Sequence, residues 1–164
     1  MSTTPTCFDV ERIGKVAHLR LNRPDAYNSM TREFWSELPA LVRELDDDGT
    51  VRAIVISSTG KHFSAGMELA VFTGGGGDAL GGAATDGSRA EEGRVRARLM
   101  QSVRLLQDSF TALERVRMPV IAAIQGGCIG GAVDTVSACD PRYASADAFF
   151  CVQESNLGMT ADVG

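Results

Sequence analysis

Twice along this chain an apolar run rich in β-branched residues leads into a glycine-marked turn and then into an apparent helix start. The first run, residues 51–57 (V-R-A-I-V-I-S), is followed by His62-Phe63-Ser64-Ala65-Gly66-Met67-Glu68-Leu69. The second, residues 119–124, is followed by Gln125-Gly126-Gly127-Cys128-Ile129-Gly130-Gly131-Ala132-Val133-Asp134. At such a junction backbone N–H groups point outward at the positive end of a helix, and glycine lets a ligand approach them closely. Two such turns side by side aim two donors at one oxygen, the arrangement that stabilises an oxyanion or an enolate. Taken singly, each turn is more commonly plain strand-to-helix packing.

The rest of the pattern extends this alternation. Residues 7–13 and 15–21 read as a hairpin around Gly14, with Val16, His18 and Arg20 alternating against Ala17, Leu19 and Leu21. Asn22-Arg23-Pro24-Asp25 is turn chemistry. A helix is expected from about Thr31, since Phe34, Trp35, Leu38, Leu41, Val42 and Leu45 share one stripe. Pro39 should kink or shorten it. A second helix is expected over residues 95–116, where Val95, Leu99, Val103, Leu106, Phe110 and Leu113 step by four or three along one packing face. Strand and helix therefore alternate, which predicts an α/β fold with sequential crossovers.

The chain has 164 residues, enough for one domain over 1–164 with a real core. No apolar run reaches the ~18 residues that a membrane-spanning helix needs. With 16 basic against 21 acidic residues the net charge is −5, which argues against a general nucleic-acid coat. Cys7, Cys128, Cys139 and Cys151 are scattered without a C-x-x-C pair and read as reduced thiols; His18 and His62 lack zinc spacing, so no metal is expected. Met1-Ser2-Thr3-Thr4-Pro5 has neither an apolar nor an Arg-rich amphipathic character, so no targeting segment is expected. Residues 73–93 hold 8 of the 18 glycines and read as a surface loop or disordered insert, not a phosphate loop, because no Gly-Lys-Ser/Thr follows Gly74-Gly75-Gly76-Gly77. Residues 89–117 carry seven arginines and four acids, a solvated basic face with RNA or anion binding as the sharper alternative.

Acidic residues cluster after the second turn. Asp134 lies in the helix that the turn starts, Glu154 ends the apolar run 148–152, and Asp162 follows. A carboxylate directly after a buried strand is a candidate acid or base, because burial raises its pKa. On spacing alone, surface acids or helix caps are the favoured reading. His62 reads as a loop packing residue, and covalent attack is not expected, as no Gly-x-Ser-x-Gly motif is present.

The pairing of F-S-A-G-M-E-L with G-G-C-I-G-G-A-V-D resembles the crotonase (enoyl-CoA hydratase/isomerase) superfamily. The tail, from Ser137-Ala138-Cys139-Asp140 through Glu154 to Thr160-Ala161-Asp162-Val163-Gly164, resembles its Δ3,5-Δ2,4-dienoyl-CoA isomerase branch. The resemblance implies a crotonase-like core built of ββα repeats, a fatty acyl-CoA thioester as substrate, and no cofactor beyond the coenzyme A that the substrate carries. It implies an oxyanion hole made by the amides of Met67 and Gly131, with Ala65, Gly66, Glu68 and Leu69 lining the CoA and acyl entrance. Asp134 and Glu154, twenty residues apart, match the two acid/base positions of the hydratases; Asp162, eight further on, matches the third carboxylate of the isomerases. By that match Asp162 takes a proton at C2, Glu154 delivers one at C6, and Asp134 orients or polarises the diene.

Three carboxylates favour isomerisation over hydration, in which two carboxylates grip one water. A non-catalytic acyl-CoA-binding relative and an RNA-binding relative are the further alternatives. Glu68 departs from the Asp common in the family. Family members also continue past the position matched by Gly164, with a helical part that closes the site and supports trimer contacts. The expectation is therefore an incomplete core domain, a homo-oligomer (trimer or hexamer) where the full fold is present, and a mitochondrial or peroxisomal setting.

Overall fold

Along β2 (Val16–Leu21) the residues Ala17, Leu19 and Leu21 are buried, whereas Val16, His18 and Arg20 are only half-buried. The period-2 pattern thus decides which face of the sheet meets the core. The computed structural model describes residues 5–68, 89–161 and 163. β2 pairs antiparallel with β1 (Phe8–Ile13) through the expected hairpin. Beyond it, β3 (Ala53–Ser58), β4 (Val120–Ile124) and β6 (Arg142–Ala144) add in parallel, giving a five-stranded sheet ordered β1-β2-β3-β4-β6. A second, two-stranded parallel sheet joins β5 (Gly127–Ile129) to β7 (Phe149–Cys151).

Parallel neighbours require crossovers. The helix α1 (Phe34–Asp48) falls between β2 and β3, α2 (Arg89–Arg115) between β3 and β4, and the short α3 (Gly131–Ser137) after β5. The α/β alternation read from the sequence is the alternation observed. Ile54, Ile56, Val120, Ala122 and Ile124 from the strands meet Phe34, Leu38, Val42, Phe110 and Leu113 from α1 and α2 in one buried cluster. Trp35 sets its ring edge-on to Phe34 and to Phe110, at 5.3 and 5.5 Å between centroids.

Several boundaries differ from expectation, each for a physical reason. The first helix begins at Phe34, not Thr31, because Met30 is held in a bridge with Met67: Met30 N–H donates to Gly66 O, and Glu68 N–H to Met30 O. Pro39 does not end that helix, which continues to Asp48. A proline deprives the carbonyl four residues earlier of its helical donor. Here that carbonyl belongs to Trp35, and the buried Ser109 hydroxyl of α2 donates to it at 2.9 Å. The lost bond is replaced across the helix pair. The second helix starts at Arg89, so residues 89–93 extend its backbone; residues 73–88, with the four-glycine run, lie outside the described residues.

The run 148–152 is not a buried strand: Phe149, Phe150 and Val152 are about half exposed. Cys7, Cys128 and Cys139 are buried and Cys151 half-buried, all as free thiols. On the arginine-rich helix, Arg96 pairs with Glu92 at 3.7 Å and Asp108 with Arg43, while just past its end Arg117 Nε reaches Asp46 at 3.1 Å. That is the behaviour of a solvated face. No described helix is long and apolar enough to cross a membrane, and the described residues hold no cluster of metal-ligating side chains.

Candidate functional site

The two glycine turns are stitched together by backbone. Phe63 N–H donates to Gln125 O (2.8 Å), Ser64 N–H to Gly127 O (3.1 Å), and Ile129 N–H to Ser64 O (3.1 Å). His62 adds a side-chain link, its Nδ1 accepting the Gly127 N–H at 2.9 Å, and its ring sits between Tyr27 and Phe149. It packs the loop, as expected.

This stitching brings Gly66 against Gly131. A Cβ on Gly66 would lie 3.4 Å from the Gly131 amide nitrogen and only 2.5 Å from Ile129 O, and Gly66 holds a φ of +82°. A side chain fits neither the space nor the backbone. Met67, next in the chain, and Gly131 both line one cleft of about 930 Å³. The flanking amides are committed: Gly66 N–H to Ser64 Oγ, Glu68 N–H to Met30 O, Gly130 N–H to Cys151 O and Val133 N–H to Gly130 O. Gly131 opens α3, where a helix leaves its first amides without intrahelical acceptors.

β7, paired with β5, carries the chain over this turn, and the short 3₁₀ helix Gln153–Leu157 follows. Glu154 is thereby seated half-buried above Gly130, its Oε1 3.2 Å from where a Cβ on Gly130 would stand. Glu154 is the one ionisable side chain among the described residues lining the cleft. Leu99, Val103 and Leu106 of α2 form one wall, and Ile129, Leu157, Met159 and Val163 complete an apolar lining. An apolar trough with one described carboxylate and two glycine turns in its wall suits a neutral chain.

The residues singled out from the sequence divide as follows. Ala65, Met67, Gly131 and Glu154 line the cleft. Gly66 is buried beneath it, and Glu68, outside the described lining, pairs with Arg23 at 3.8 Å. Asp134 is half-buried in α3 and is not on the cleft wall. Its charge, after burial, helps push the Cys128 thiol up to about 12; burial takes Cys139 to about 12 as well, against the pull of Arg142. These thiols stay protonated and are poor nucleophiles. Leu69 and Asp162 lie outside the described residues, although Thr160 and Val163 line the cleft. The α2 wall was visible in the sequence as an apolar stripe, but spacing alone did not separate Leu99, Val103 and Leu106, which face the cleft, from the core residues Phe110 and Leu113.

Comparison with known proteins gives this arrangement its class. Residues 11–164 match the family described as Enoyl-CoA hydratase/isomerase, and the chain belongs to that family. It is 40% identical over 150 residues to the peroxisomal Δ3,5-Δ2,4-dienoyl-CoA isomerase of Arabidopsis thaliana, covering 91% of this chain and 51% of that protein. With the human mitochondrial Δ3,5-Δ2,4-dienoyl-CoA isomerase it shares 42% over 149 residues, 91% of this chain and 43% of the other. The chain thus spans about half the length of these relatives. A Thermobifida fusca protein solved in complex with acetoacetyl-CoA superposes with a TM-score of 0.78 at 31% identity, over 97% of this chain and 58% of that one.

Proposed function

We propose that the protein isomerises 3,5-dienoyl-CoA thioesters to 2,4-dienoyl-CoA in the oxidation of unsaturated fatty acids. The observation that carries this reading is the Glu154 carboxylate, held against Gly130 in the same apolar cleft that Met67 and Gly131 line. The dienoyl-CoA isomerase relatives and the acetoacetyl-CoA complex support it.

In the proposed reaction the thioester oxygen accepts hydrogen bonds from the Met67 and Gly131 amides. Asp162 removes a proton from C2, and the electron pair spreads through C3=C4 and C5=C6 onto that oxygen as a dienolate. Glu154, protonated, delivers its proton to C6, leaving double bonds at C2 and C4. The carboxyl groups are then restored by returning the proton from Asp162 to Glu154 through solvent. The apolar walls strengthen the amide–oxygen interaction by excluding water. Asp134, in the first turn of α3, orients or polarises the diene through its charge. Hydration requires two carboxylates on one water, and the presence of three candidates, Asp134, Glu154 and Asp162, supports isomerisation instead. A homo-oligomer and an organellar setting are parts of the same proposal.

The test is ultraviolet spectroscopy. With 3,5-dienoyl-CoA the conjugated 2,4-dienoyl absorption should grow, while a saturated acyl-CoA gives no change. If the only activity is loss of the 2-enoyl absorption with trans-2-enoyl-CoA, the protein is a hydratase. Binding of acyl-CoA without either change makes it a non-catalytic binder, and salt-sensitive RNA binding lost on Arg94, Arg96 and Arg98→Glu supports the RNA reading.

A further inference from the structure

Ser64 is fully buried, and all of its polar atoms are engaged with three separate segments of the chain. Its backbone N–H and C=O hold Gly127 and Ile129 of the second turn. Its hydroxyl donates to Asn28 O at 2.8 Å and accepts the Gly66 N–H at 3.0 Å. A carbonyl only accepts and an amide only donates, so the hydroxyl proton has one orientation. Asn28 is itself fixed: it is 2% exposed, its Nδ2 donates to Thr59 O and His62 O, and its Oδ1 accepts the Arg23 N–H.

Resting on the function proposed above, we infer that Ser64 is a positioning residue that sets the separation of the Met67 and Gly131 amides. Gly66 occupies a left-handed conformation against Ile129 O, and the Ser64 hydroxyl is what its amide binds there. The peptide that follows carries the Met67 N–H. The same residue's backbone anchors Ile129, two residues before the Gly131 N–H. One side chain and one peptide thus register both donors against each other. Donors set in place before charge develops do not have to reorganise when it does. In Ser64→Ala the backbone bonds of residue 64 remain, so the two turns stay joined. The hydroxyl tie is gone, leaving the Gly66 amide unbonded and the peptide that carries the Met67 N–H held through Met30 alone.

The experiment uses the full chain and 2,4-hexadienoyl-CoA, a conjugated thioester whose absorption moves to longer wavelength when its carbonyl oxygen is polarised. Wild type should show the shift on binding. Ser64→Ala should bind with affinity within about threefold, lose most of the shift, and lower kcat roughly 10- to 100-fold with KM little changed. Ser57→Ala, which removes a 2.7 Å side-chain bond between Ser57 of β3 and His18 of β2, should lower Tm and leave the shift intact. If Ser64→Ala does not melt cooperatively, Ser64→Cys, which keeps the volume but bonds weakly, carries the same comparison. A Ser64 variant that melts lower yet keeps the full shift and kcat overturns the positioning role alone. A wild type that binds without any shift overturns the oxyanion hole of the proposed function, and the role of Ser64 with it.

Discussion

Glu154 Oε1 lies 3.2 Å from the point where a Cβ on Gly130 would stand, and Gly130 holds a φ of +55°. Backbone and carboxylate are fitted to each other: the glycine is needed both for its conformation and to leave room for the acid. Gly130→Ala should therefore impair function beyond its effect on stability. We expect kcat with 3,5-dienoyl-CoA to fall at least about tenfold, with the loss measured at a temperature where the variant remains folded by circular dichroism.

Glu154→Gln keeps the shape and removes the acid. Turnover should drop by roughly two to four orders of magnitude, while acyl-CoA affinity by calorimetry stays nearly constant. In the proposed complex, binding rests on the thioester contacts and the apolar walls, neither of which this change alters.

Ser109→Ala strips the donor from the Trp35 carbonyl that Pro39 has already left without a helical partner. A buried acceptor with no donor costs about 1–3 kcal/mol. Urea unfolding should show that loss with an unchanged m-value. In the Pro39→Ala background the cost should shrink, because the helix then supplies its own donor.

The thiols give a pH signature. Cys128 and Cys139 have folded-state pKa values raised from 9.0 to about 12. Their contribution to stability is complete below pH 9 and is lost as pH rises from 9 toward 12, because the unfolded chain ionises first. Native protein treated with iodoacetamide at pH 8 should carry no label on either residue by mass spectrometry, and both should label in urea.

Much of this was legible in the sequence, for reasons that can be named. The 51–57 and 119–124 runs and the alternation in Val16–Leu21 announced parallel strands and the buried face, since period and β-branching act locally. The pairing of Gly66 with Gly131 was readable as two similar turns, but their contact depends on the Ser64 bridge to Cys128, which no local pattern encodes. Pro39 misled because its compensation comes from Ser109, seventy residues away. Phe149 and Phe150 looked buried because composition does not reveal whether a strand acquires a covering layer.

In the proposed reaction, proton removal at C2 and delivery at C6 belong to different carboxylates, and nuclear magnetic resonance in heavy water follows each separately. Wild type should convert 3,5-dienoyl-CoA with deuterium entering at C6. Glu154→Gln should exchange the C2 protons without forming product, because the dienolate still forms but cannot be protonated at its far end. Asp162→Asn should abolish both exchange and conversion. If Asp162→Asn isomerises at the wild-type rate, the two-carboxylate account is wrong.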